Sequence, residues 1–206
     1  MTLAYVLPFA VWMAGVQIRN TLGESGFWVY PIQTIVVAGI LVAFRKNYHE
    51  LKPKVDWIAL GAGLLVFAIW VGLDPYLPHF ERKNAVFLDS KAPWEICTWM
   101  SFRLLGASLI IPVAEELFWR SFLTRWIIDP QWTKVPLGKF SWISFVCVAL
   151  LFGFEHKEWA SGIIAGAAFA GLLYWRKNLF SCVLAHATTN LLLGAYVIYT
   201  KSWQFW

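Results

Sequence analysis

Charge is scarce in this chain. Asp, Glu, Lys and Arg make up 14% of its 206 residues, against about 25% in an ordinary soluble domain, so a soluble globule does not fit. Low hydrophobicity and high net charge are both missing, which excludes disorder. Glycine and proline, at 14 and 9 residues, are near average and exclude a fibrous or low-complexity chain. Cysteine is sparse as well. Cys97, Cys147 and Cys182 lie far apart, one of the three must stay unpaired, and no C-x-x-C spacing points to zinc. They read as small buried thiols. No basic residue precedes Arg19, so the positive n-region of a secretory signal is absent and the first apolar segment is expected to be retained. No internal repeat and no linker divide the chain. It therefore reads as one integral-membrane domain over residues 1–206, with the motif-bearing half at about 93–200.

What is present is apolar surface: 59% of residues are hydrophobic, and 14 of them are tryptophan. A bilayer span needs about 17–25 mostly apolar residues. Uncharged runs lie at 3–18, 27–44, 57–73, 140–154, 159–175 and 179–200. A further helical region covers about 93–128, carries Arg103, Glu115, Glu116, Arg120 and Arg125, and is expected to break at Pro112. The fold class is thus all-α, a polytopic transmembrane helical bundle of about seven spans, or eight if the broken region crosses twice. Trp28, Trp57, Trp70, Trp159 and Trp175 fall near span ends, where amphipathic rings favour the interface.

Lys and Arg in short loops set orientation. The loop at 45–56 holds Arg45, Lys46, Lys52 and Lys54. With that loop in the cytoplasm, Arg125, Lys134, Lys139, Arg176 and Lys177 join it, making nine cations inside. Six lie outside: Arg19, Arg82, Lys83, Lys91, Lys157 and Lys201. The N-terminus is then cytoplasmic. The net charge of +5 is a loop property and not a basic stripe interleaved with aromatics, so nucleic acid is not an expected partner. In the helix at 159–175, Gly162-x-x-x-Gly166 marks a close packing face.

Ionisable groups inside spans cost about 2.5–3.5 kcal/mol each on insertion scales and default to function. Four sites qualify. Arg103 has no evident partner. Glu116 and Arg120 are four apart on one helix face and form the natural ion pair. Glu115 projects about 100° away and is the carboxylate left for chemistry. An ion pair that merely anchors the helix would leave this surplus negative charge unexplained. His156 ends a span; alone, it would read as an interfacial histidine. His186 and Asn190, four apart inside the last span, could equally be bridging helices, a role worth about 1 kcal/mol. Together these residues supply a base, two imidazoles and an amide from three helices, which is what a hydrolytic site needs.

The motifs read Glu115-Glu116-Leu117-Phe118-Trp119-Arg120, then Phe152-Gly153-Phe154-Glu155-His156, then His186-Ala187-Thr188-Thr189-Asn190. In this order they resemble the CPBP family, the CAAX prenyl endopeptidases of the second type and the related bacteriocin-processing proteins, also called the ABI family. Tyr30-Pro31 and Val71-Gly72-Leu73-Asp74-Pro75-Tyr76 further resemble a short branch of CAAX-protease-related proteins linked to exosortase systems. The resemblance implies an intramembrane glutamic endopeptidase with no metal or other cofactor. Glu115 would activate the water with help from His156, His186 and Asn190 would stabilise the oxyanion, and Arg120 would hold Glu116. The partners implied are the lipid bilayer and a membrane-associated peptide or protein, lipid-modified or not. Three rivals stand beside it. One is a zinc hydrolase using Glu115, His156 and His186, although no His-Glu-x-x-His occurs. The others are a non-catalytic scaffold or immunity protein, and a transporter, whose pathways also use buried charge and broken helices.

Overall fold

The computed structural model describes residues 1–81, 88 and 91–206. The cations Arg82 and Lys83, counted on the outer side above, lie outside the described residues. Among the described residues the regular structure is entirely helical. The main helices are α1 (Thr2–Leu22), α2 (Val29–Ala43), α3 (Trp57–Leu73), α4 (Pro93–Ile128), α5 (Trp142–Phe154), α6 (Trp159–Arg176) and α7 (Leu179–Thr200). Three of these regions, Thr2–Gly26, Pro93–Ile128 and Leu179–Thr200, are long and apolar enough to cross a membrane, and α2, α3 and α5 are shorter apolar helices. The surface is the reverse of a soluble protein's. Leu65, Ile143 and Leu151 face outward, as lipid-facing side chains do, and Trp57, Trp94, Trp142 and Trp175 stand exposed at helix ends. Cys97 is exposed too and only Cys182 is fully buried, so the expectation of three buried thiols is corrected: the outward wall of a lipid-facing helix takes a thiol as readily as the core.

The helices alternate in direction. The N-terminal end of α1 sits at the 45–56 loop, where Tyr5 donates to the Asn47 carbonyl at 2.9 Å and Tyr48 donates to the Ala4 carbonyl at 2.8 Å. The C-terminal part of α4 returns to the same end, where Arg125 Nη2 meets Glu50 Oε1 at 2.6 Å and Ser121 also donates to Glu50. Asp56 then ties three helices together there. Its Oδ1 caps α3 by accepting from Ile58 N at 3.1 Å and Ala59 N at 3.4 Å. Its Oδ2 accepts from Ser181 at 2.7 Å and Arg176 at 2.9 Å. Burial alone would raise this carboxyl's pKa, but the Ser181 and Arg176 hydrogen bonds hold it below the usual value.

Pro112 does not break α4. The residues before it, Gly106–Ile110, form a wider turn in which the Ile111 N–H reaches back to the Gly106 carbonyl, and a second wide turn covers Leu117–Leu123. Such turns absorb an inserted residue without ending the helix. At about 1.5 Å per residue the 36 residues of α4 run roughly 54 Å, longer than a hydrocarbon core of about 30 Å. A single continuous helix leaves no reversal for an eighth crossing. In the wide register the next N–H would serve the Ala107 carbonyl, and that residue is proline. Ala107 is left with a carbonyl that no helix N–H serves.

Glycines set the closest helix contacts. A Cβ on Gly162 would lie 2.9 Å from the Gly153 Cα, and one on Gly166 would lie 3.2 Å from the Ala149 carbonyl. So α6 presses on α5 through the small face expected of it. Gly63 of α3 likewise faces the Ala185 carbonyl of α7, and Thr189 donates to the Gly63 carbonyl at 2.9 Å. These contacts fix α7, which carries two of the four candidate catalytic side chains.

Candidate active site

Glu116 and Arg120 are both fully buried, with Arg120 Nε 3.2 Å from Glu116 Oε2. The guanidinium also donates to the Gly166 carbonyl at 3.3 Å and lies 4.2 Å from the Phe152 ring centroid. Glu116 does more than hold Arg120. Its other oxygen accepts from His186 Nδ1 at 2.9 Å, a contact across 70 residues of chain. That bond leaves Nε2 as the free end of the ring, 3.9 Å from Glu115 Oε2. Glu115, Glu116, Arg120 and His186 therefore form one buried cluster. The surplus carboxylate of the sequence motif thus faces the imidazole of His186, which comes from α7.

His156 follows α5 and donates from Nδ1 to the Phe152 carbonyl at 2.8 Å. Its Nε2 is then the acceptor end. The ring packs between Phe152, at 4.9 Å, and the edge of Trp70, at 5.4 Å. Asn190 donates from Nδ2 to the Ala107 carbonyl at 2.8 Å, the acceptor that Pro112 leaves unserved. This bond pins the amide while leaving its second N–H available.

A cavity of about 310 Å³ brings these groups together: Glu115, His156, His186 and Asn190 all line it. Glu116 and Arg120 do not, and stand behind the wall. The cavity also meets Trp12 and Arg19 on α1, Trp70 on α3 and Arg103 on α4. Arg19, Trp70 and Arg103 lie in the halves of their helices farther from the 45–56 loop, so the cavity extends from Glu115 and His186 toward the opposite end of the bundle. It reaches the surface beside the exposed Asn20.

Glu155 also lines the cavity, and nothing was assigned to it from sequence. The usable signal was a carboxylate directly beside a motif histidine at the end of an apolar run. Among the described residues, no three His, Cys, Asp or Glu side chains are grouped so as to hold a metal ion. The zinc set Glu115, His156 and His186 is not gathered in that way.

Residues 97–192 match the family model of the Rce1-like type II CAAX prenyl endopeptidases. The matched stretch, a little under half of the chain, is similar to that family of proteases. The match takes in all three motifs, from Glu115 to Asn190. Together with the long apolar helices, the match supports an integral membrane protein similar in this part to the CAAX proteases. No solved structure matches it.

Proposed function

We propose that the protein is an intramembrane endopeptidase that hydrolyses a peptide bond near the membrane end of a membrane-associated or lipid-modified substrate. The observation that carries this reading is the convergence of Glu115, His156, His186 and Asn190 on one cavity. Glu115 takes a proton from the attacking water, and His156 Nε2 accepts the second hydrogen and orients it. As the carbonyl becomes tetrahedral, its oxygen gathers charge. Nε2–H of a cationic His186 and the spare N–H of Asn190 meet that charge inside the buried cavity. His186 can donate there only as an imidazolium, because Nδ1 already gives its hydrogen to Glu116. Glu115 then returns its proton to the leaving amine. Purified protein incubated with tail peptides, with products read by mass spectrometry and the Glu115→Gln protein as control, tests the reading.

The amide role is separable from the packing role. Asn190→Ala removes both the Ala107 hydrogen bond and the oxyanion donor. Losing the first costs about 1 kcal/mol. Losing the second lowers kcat by roughly 10²–10³ with little change in KM, since that bond strengthens in the transition state. Single-turnover cleavage in detergent separates them. A raised KM with unchanged kcat moves Asn190 into substrate binding.

With the basic 45–56 loop in the cytoplasm, the N-terminus is cytoplasmic and the cavity faces the other side of the membrane, so substrates are met from there. In a chain whose native cysteines are replaced, Glu24→Cys, at an exposed position, should react with an impermeant maleimide in intact cells, and Lys52→Cys only after lysis. The opposite labelling pattern reverses the orientation.

A further inference from the structure

Two cations in the cavity wall play no part in this chemistry. Arg19 from α1 and Arg103 from α4 both line the cavity that holds Glu115. Both converge on one ring: their guanidinium carbons lie 5.4 and 4.7 Å from the centroid of Tyr30. Tyr30 is fully buried and donates its hydroxyl to the Arg103 carbonyl at 3.2 Å, so the ring is fixed. The Trp206 ring lies 5.6 Å from Arg103 on the same wall. Among the described residues, neither guanidinium has a carboxylate within ion-pair distance. Packing alone explains this poorly. Two like charges repel, Arg103 is costly within a span, and a ring face returns only about 0.5–2 kcal/mol per cation. A paired, planar, five-donor fork is what recognises a carboxylate.

We propose that Arg19 and Arg103 form a carboxylate subsite of this cavity, which holds the free α-carboxylate at the end of the peptide tail that is cleaved. This rests on the endopeptidase reading. The cavity is bipolar, with guanidiniums at one part of its wall and Glu115 at another, so a bound peptide is oriented with its C-terminus toward the end of the bundle opposite the 45–56 loop. Arg103 and Glu115 are twelve positions apart on α4, a rise of roughly 18 Å. An extended chain covers that in about five residues, so the released tail is short. A lipid phosphate would offer similar charge. The pair faces the same interior space as the catalytic groups, however, and the peptide is the occupant that reaches both.

Binding tests the subsite independently of turnover. The probes are two dansyl-labelled pentapeptide libraries randomised over apolar residues, one ending in a free acid and the other in an amide. Both are titrated against protein in nanodiscs of zwitterionic lipid. The acid library should bind about tenfold tighter or more. Glu115→Gln should keep that preference, and Arg19→Gln with Arg103→Gln should erase it. Where the glutamine variants fail to fold, Arg19→Lys with Arg103→Lys keeps the charge but not the fork and should weaken the preference. Equal binding of acid and amide, no binding of either, or a preference that survives the double arginine change overturns the proposal. So does an acid preference for side-chain Glu in amide-ended peptides equal to that for the free terminus, which would make this a side-chain pocket. Anionic phosphatidylglycerol nanodiscs that abolish the preference of the unaltered protein would assign the arginines to lipid headgroups. Cleavage of acid and amide tails at one rate removes the subsite and leaves the endopeptidase reading intact. An acid preference without any cleavage does the reverse.

Discussion

Glu115→Gln is expected to lower single-turnover cleavage by about 10²–10⁴ while leaving the protein folded and inserted. The change keeps the side chain's volume and removes only its capacity to take a proton, and a positioned general base contributes about that factor. Glu115 is the carboxylate available for the task because Glu116 is committed, one oxygen to Arg120 and the other to His186. Its Oε2, by contrast, is buried and accepts no hydrogen bond from any described group. Folding is read from tryptophan emission and elution in detergent, cleavage from rapid-mix single turnovers. Glu155→Gln supplies the comparison, because Glu155 is a second carboxylate on the same cavity. A smaller loss for Glu155→Gln than for Glu115→Gln keeps the base at Glu115. A full loss for Glu155→Gln with activity retained in Glu115→Gln transfers the role.

The seven helices and the Glu116–Arg120 pair were legible because both are local. Apolar runs announce spans, and a spacing of four announces a shared helix face. The course of α4 was not legible. Proline reads as a break, and the compensating wide turn at Gly106–Ile110 leaves no periodic mark, since it shifts hydrogen bonds and not side-chain character. The Asn190–Ala107 bond was invisible for the same reason: it exists only because that shift frees a carbonyl. The tie between His186 and Glu116 spans 70 residues, and the meeting of Arg19 and Arg103 on Tyr30 joins three helices. Such pairings are set by how helices pack, and a single sequence records the packing only through small residues such as Gly63, Gly153 and Gly162.

The largest loss of stability is expected from Glu116→Gln. Glu116 is fully buried, with Arg120 Nε at 3.2 Å and His186 Nδ1 at 2.9 Å, so its charge balances two potential cations at once. Glutamine fits the space, and its carbonyl can still accept from His186, but Arg120 is then a fully buried cation. Its remaining partners are the Gly166 carbonyl at 3.3 Å and the ring of Phe152. Breaking a buried pair in this way typically costs about 3–5 kcal/mol, a large share of a folding free energy of about 5–15 kcal/mol. Folded yield and the half-life of the native tryptophan signal in detergent should both fall steeply. Removing the stranded charge as well should help: Glu116→Gln with Arg120→Met is expected to be less destabilised than Glu116→Gln alone, because no unpaired cation remains. Activity gives a second readout that simple loss of packing would not produce. In the double variant, the folded fraction has a His186 whose Nδ1 no longer meets a carboxylate, so kcat should drop with KM little changed. A double variant as unstable as the single one would show that Glu116 acts chiefly by shape. A stable double variant with full kcat would show that the cluster holds the helices together and takes no part in catalysis.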